Sequence, residues 1–132
     1  MPTFRSFEEI DSWQAARVLT SVIYDLSSRS LLRNDVDLRR QLRRASVSIM
    51  SNIAEGYERG GRSEFIQFLS IAKGSCGEVR SQLYVAADAG YISQERLDDL
   101  LQQCQLIGRL LQGLIAHLQR AEGKGPKFEG RT

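Results

Sequence analysis

Proline is missing from the interior of this chain. Pro2 and Pro126 are the only two, so nothing between them interrupts a helix. Histidine and cysteine are almost as scarce: one histidine, His117, and two cysteines, Cys76 and Cys104, with no His/Cys spacing that suits a metal. Both cysteines fall at apolar helix positions. They read as small buried hydrophobes in a reducing cytoplasm, or alternatively as a disulfide or metal pair. No run of about 18 apolar residues is present, which argues against a membrane span. The opening MPTFRSFEEID lacks the apolar centre of a signal peptide. Phosphate loops, dinucleotide fingerprints and zinc spacings are absent as well. A di-metal carboxylate site in a helical bundle needs Glu-x-x-His pairs, and the chain has none. These absences imply a non-enzymatic protein without cofactor or metal, located in the cytoplasm.

Lysine is the last scarcity. Arginine outnumbers it 15 to 3. The net charge of +2 is too small to argue for a nucleic-acid partner, but the charge is uneven: eight arginines stand against four acids (Asp35, Asp37, Glu55 and Glu58) between Arg29 and Arg62. At 132 residues the chain has room for one core that folds without metal or disulfide.

What the sequence does contain is helical periodicity. Four segments are expected, over roughly 7–28, 36–58, 63–89 and 93–121. Together they form a single domain over about 1–122, with 123–132 a flexible tail that has little to pack. In the first, Ser6 and Glu9 have capping-box spacing, and Ile10, Trp13, Ala16, Leu19, Val22, Ile23 and Leu26 share a face. Asp35 or Asp37 suits the start of the second, and Gly60-Gly61 its end. Ser63 is placed to cap the third, Gly90 to stop it, and Ser93 to cap the fourth. The fourth carries a heptad repeat: Leu97, Cys104, Leu111 and Leu118 at one position, with Leu100, Ile107 and Leu114 three residues later. Leu101, Leu110 and Ile115 widen its apolar surface, so a second cover from another subunit is expected. Short connections between long helices imply an all-α, antiparallel up-down-up-down four-helix bundle.

The second helix carries the most unusual stretch, QLRRASVSIMSNIAEGY, over 41–57. On a wheel of about 100° per residue, Leu38, Leu42, Ala45, Ile49, Ile53 and Gly56 form the core seam. Ser48, Ser51, Asn52 and Glu55 form a polar strip beside it. Serine and asparagine are mediocre helix formers, so the strip suggests close packing and a hydrogen-bond network at a helix or subunit contact rather than a catalytic pair. Gly74 and Gly77 in the third helix hint at another close approach of backbones. Arg39, Arg40, Arg43 and Arg44 fan across the side and back. As i,i+4 like-charge pairs they repel unless countered. They form either a solvated face paired with acids on neighbouring helices or a surface that grips phosphate, for which the planar guanidinium is suited. Tyr57 is the only aromatic on this helix, which favours backbone contact over base reading.

These residues, in this order, resemble the four-helix-bundle proteins encoded by intervening sequences in bacterial 23S ribosomal RNA genes. The resemblance spans nearly the whole domain. It is carried by Phe7 and Trp13, Gln41-Leu42-Arg43-Arg44-Ala45, the hexapeptide Ser51-Asn52-Ile53-Ala54-Glu55-Gly56, then Phe65, Phe68, Leu69, Ala72, Gly74 and Ser75, Gln82-Leu83, and Gly90-Tyr91-Ile92. Met50 departs from it, since the family often places proline there. The resemblance implies an up-down bundle and a homo-oligomer, with a homopentamer favoured. A related branch serves as the accessory protein of diversity-generating retroelements, binding nucleic acid and a reverse transcriptase. By extension the partners expected here are further copies of this chain, RNA or DNA, and a reverse transcriptase or other protein, with no membrane.

Overall fold

The structure, a computed structural model, describes residues 4–29 and 31–120. Four α-helices are present among these residues: α1 (Asp11–Arg29), α2 (Val36–Glu58), α3 (Arg62–Asp88) and α4 (Gln94–Arg120). Each packs against its neighbour in sequence, and α4 closes the ring onto α1, giving an antiparallel up-down-up-down bundle. The core is one cluster fed by all four helices. The expected seam of α2 is buried throughout, and the heptad positions of α4 are buried along its length. Leu101 and Leu110 are half-buried, whereas Ile115 lies inside the core rather than at its margin. The expected flexible tail lies outside the described residues.

The helix ends show local chemistry. Asp35 accepts from the Leu38 N–H at 3.1 Å, which caps α2. The same carboxylate accepts the Tyr91 hydroxyl at 2.9 Å, tying the start of α2 to the α3–α4 turn and raising the pKa of Tyr91 above its ordinary value. Gly60 (φ 83°) and Gly90 (φ 81°) take the left-handed conformation that ends α2 and α3. At Gly90 the Tyr91 N–H returns to the Ala86 carbonyl and the Gly90 N–H to that of Ala87, the paired bonds of a Schellman turn. The Ser93 hydroxyl accepts the Arg96 N–H at 3.1 Å, capping α4.

Two caps differ from expectation. Ser6 makes no side-chain cap bond. Glu9 instead accepts the Arg5 N–H at 2.9 Å, and Phe7–Glu9 form an isolated 3-10 turn. The chain then extends at Ile10 to bury that side chain, and α1 starts only at Asp11. Tertiary burial outweighs the local capping box here. Tyr57 reinforces the arrangement by donating to the Phe4 carbonyl at 2.7 Å. Ser63 lies inside α3, whose N-cap position falls to Gly61. Between α1 and α2, a 3-10 turn over Leu31–Asn34 drops Leu32 into the core. Helix α2 runs through Met50 without interruption, so the place where the family often carries proline is ordinary helix.

Candidate nucleic-acid interface

The arginines of α2 separate into two pairs. Arg39 and Arg43 are half-buried, Arg43 against α1 and Arg39 against the 3-10 turn that joins α1 to α2. The Arg43 Nε donates to the Ser27 hydroxyl at 2.7 Å, and its guanidinium lies 4.6 Å from the Tyr24 ring centroid, a cation–π contact. Arg39 donates to the Arg33 carbonyl at 2.8 Å. Both therefore hold the α1–α2 side together. Arg40 and Arg44 are exposed. None of the four makes an ion pair with a described acid; the described ion pairs are Arg5–Glu9, Arg29–Asp25, and Arg59 with Glu55 and Glu64. Within the described chain, no acid on a neighbouring helix lies within ion-pair distance of these guanidinium groups. Asp25, the acid on α1 near this side, pairs with Arg29 one turn away instead.

Arg44 also lines a groove of about 320 Å³ between α2 and α3, together with Gln41, Ser48, Glu78 and Gln82. Glu78 lies across this groove from it without closing an ion pair. The Gln82 Oε1 is buried with no partner. Arg40 is exposed and makes no described ion pair.

The polar strip divides as well. Ser48 and Asn52 are half-buried and clasp α3: the Ser48 and Ser75 hydroxyls lie 2.9 Å apart, and the Asn52 amide donates to the Ser48 carbonyl at 2.8 Å and hydroxyl at 3.0 Å. Ser51 and Glu55 stay exposed and do not join them. Glu55 instead pairs with Arg59 at 2.9 Å, one turn along the helix. The four residues are therefore not one network. The partner that completes the clasp, Ser75, sits on α3, where only its small size beside Cys76 and Ala72 marks it in sequence.

The close approach lies elsewhere than expected. A Cβ at Gly74 or Gly77 would meet nothing within 4 Å, so neither glycine is required by packing inside the chain. At Gly56 a Cβ would lie 2.6 Å from the Phe68 Cβ and 3.1 Å from the Phe65 ring. The final glycine of the hexapeptide is thus a point where α2 and α3 approach too closely for a side chain. The cysteines face one another from α3 and α4 as free, buried thiols, with the Cys76 Sγ donating to the Cys104 carbonyl at 3.2 Å. The adjoining Cys76 sulfur, followed by burial, pushes the Cys104 thiol far above its ordinary pKa, so it stays protonated. Among the described residues no cluster of three or more His, Cys, Asp or Glu side chains could hold a metal, and no helix is long and apolar enough to cross a membrane.

Helices ordered as a closed antiparallel ring, with a polar clasp and a glycine contact joining α2 to α3, define a four-helix-bundle protein of all-α class. The chain belongs to the 23S rRNA-intervening sequence protein family, whose profile matches residues 8–113. Its fold is shared by a crystal structure of a protein of unknown function from the S23 ribosomal protein family of Bacteroides thetaiotaomicron. The TM-score is 0.70 at 24% identity, covering 80% of this chain and 95% of that one. No curated protein matches the chain.

Proposed function

We propose that this chain is a non-enzymatic, cytoplasmic, oligomeric binding protein that contacts structured RNA or another nucleic acid through α2, with Arg40 and Arg44 as the phosphate-gripping pair. The observation that carries this reading is the absence of any described carboxylate partner for four neighbouring guanidinium groups, two of which remain exposed. Uncompensated like charge on one helix is unfavourable for the isolated chain and favourable once phosphate supplies the counter-charge. The family's name, which ties it to intervening sequences of 23S rRNA, supports RNA as the first ligand to try. Self-association multiplies the surface: five copies at +2 each carry about +10. Exposed Val18 on α1 and Leu106 on the adjoining α4 support a subunit contact on that side.

The test is binding of a structured RNA across a salt series. Each lost phosphate contact lowers the slope of log affinity against log salt by about 0.7–0.9, so Arg40→Ala with Arg44→Ala should flatten it by about 1.5. Arg39 and Arg43 are left in place because Arg39 bonds to the α1–α2 turn and Arg43 to α1. An unchanged slope in the double variant would remove α2 as the interface.

A second reading is an oligomeric scaffold that binds a protein such as a reverse transcriptase, with the exposed arginines pairing acids across a subunit boundary. Glu78 beside Arg44 favours it, since the lone acid shows this surface accepts mixed charge. Native mass of the same double variant separates the two. Loss of the oligomer supports the scaffold, and an intact oligomer that has lost RNA supports the first reading.

A further inference from the structure

A second cationic surface lies between α3 and α4, built from residues that the α2 reading does not use. Lys73 and Arg80 of α3 and Arg109 of α4 rim a groove of about 350 Å³. Among the described residues no carboxylate lines this groove, and none of the three cations pairs with a described acid. The only partner described for Lys73 is neutral: its ammonium donates to the Gln112 side-chain carbonyl at 2.6 Å. The floor has the opposite character. It consists of the buried, free thiols of Cys76 and Cys104 with Gly77 and Gly108, and neither glycine would bring a Cβ within 4 Å of another atom. Glycine weakens a helix interior, and among the described residues nothing occupies the space it leaves at these two positions.

A smooth, small-residue floor between two helices under a cationic rim is suited to a third helix whose apolar side seats on the floor and whose carboxylates reach the rim. Lys73 and Arg80 are seven residues apart on one helix, about 10.5 Å at 1.5 Å per residue. That is the separation of two glutamates at i and i+7 on a helix lying alongside. A phosphodiester backbone fits less well. It would set polar sugar–phosphate groups over thiols and glycine Cα groups that offer only weak hydrogen-bonding capacity, and no aromatic among the described residues lines the groove to stack a base.

We propose that the α3–α4 groove docks an acidic amphipathic helix of a partner protein. This surface is separate from Arg40 and Arg44, and the proposal stands whether or not α2 binds nucleic acid.

The probe is a fluorescent, end-capped Ala/Leu helical peptide with glutamates spaced seven apart. Its control carries glutamine at those positions, and both are titrated against the full chain. The glutamate peptide is expected to bind at least about tenfold more tightly than the control. Filling the floor with Gly77→Leu and Gly108→Leu should weaken it by a similar factor, as should Lys73→Gln, Arg80→Gln and Arg109→Gln together. Thermal melts of the filled-floor variant should match or exceed wild type, which shows that lost binding is not lost folding. Arg40→Ala with Arg44→Ala should leave the peptide affinity unchanged. No binding of the glutamate peptide, equal binding of the two peptides, or undiminished binding after the floor is filled would each overturn the proposal. So would a single-stranded oligonucleotide that loses affinity in the triple glutamine variant while the peptide cannot displace it.

Discussion

Replacing Gly56 with alanine sets two opposed effects against each other. Alanine is the better helix former by about 1 kcal/mol, and in an exposed helix it would stabilise. At Gly56 the added methyl would lie 2.6 Å from the Phe68 Cβ, and 3.1 and 3.3 Å from ring atoms of Phe65 and Phe68. The nearest obstacle is a Cβ fixed to the backbone of α3, so a rotamer change cannot relieve it and the helices must separate. Overpacking of this kind costs about 1–3 kcal/mol, and the fixed obstacle places it toward the upper end. The expected result is a net loss of about 1–2 kcal/mol, or roughly 3–8 °C in thermal midpoint for a chain of this length. Gly108→Ala is the matched control. It gains the same helix propensity and meets nothing within 4 Å, so it should stabilise by up to about 1 kcal/mol. Far-UV circular dichroism melts and urea titrations at one fixed protein concentration read both variants, since self-association would otherwise shift the midpoints. If Gly56→Ala proves as stable as wild type, α2 and α3 are not in close contact there, and this account of the hexapeptide's last residue fails.

Asp35→Ala removes the cap of α2 and the acceptor for Tyr91, so a loss of about 1–2 kcal/mol is expected by urea denaturation. Asp35→Asn, which retains a capping oxygen, should recover most of it. Burial chiefly, with the charge of Arg120 among the smaller contributions, holds the His117 imidazole below its ordinary pKa. Its folded pKa lies under the unfolded value of about 6.5, so the unfolded chain takes up the proton first. Stability should therefore fall as pH drops from about 6.5 through the folded pKa, and stay level above it. His117→Gln should flatten stability over about pH 5–7.5, and superimposable profiles for the two proteins would refute this.

Much of the architecture was legible in the residues. The bounds of α2, the buried seam from Leu38 to Gly56, the heptad of α4 and the turn at Gly90 all follow from period, capping chemistry and the left-handed freedom of glycine. These are properties of a helix and its own ends, so they need no knowledge of neighbours. The capping box at Ser6 failed because burying Ile10 competes with it, and that burial depends on where the rest of the bundle lies. The glycines differ from expectation for a related reason: sequence shows where a side chain is missing but not whether anything fills the space. Gly56 meets Phe68, while Gly74 and Gly77 meet nothing.

The sequence by itself determined that this chain forms four helices, which face of each is apolar, and how most of them end, because backbone propensity and the helical period act over a few residues. Only the tertiary structure decided what the flanks of those helices do. Arg43 and Arg44 are adjacent in sequence, yet one stacks on Tyr24 of α1 and the other is exposed beside α3. A step of about 100° around α2 separates them, and the order in which the helices close into a ring determines which neighbour each one meets.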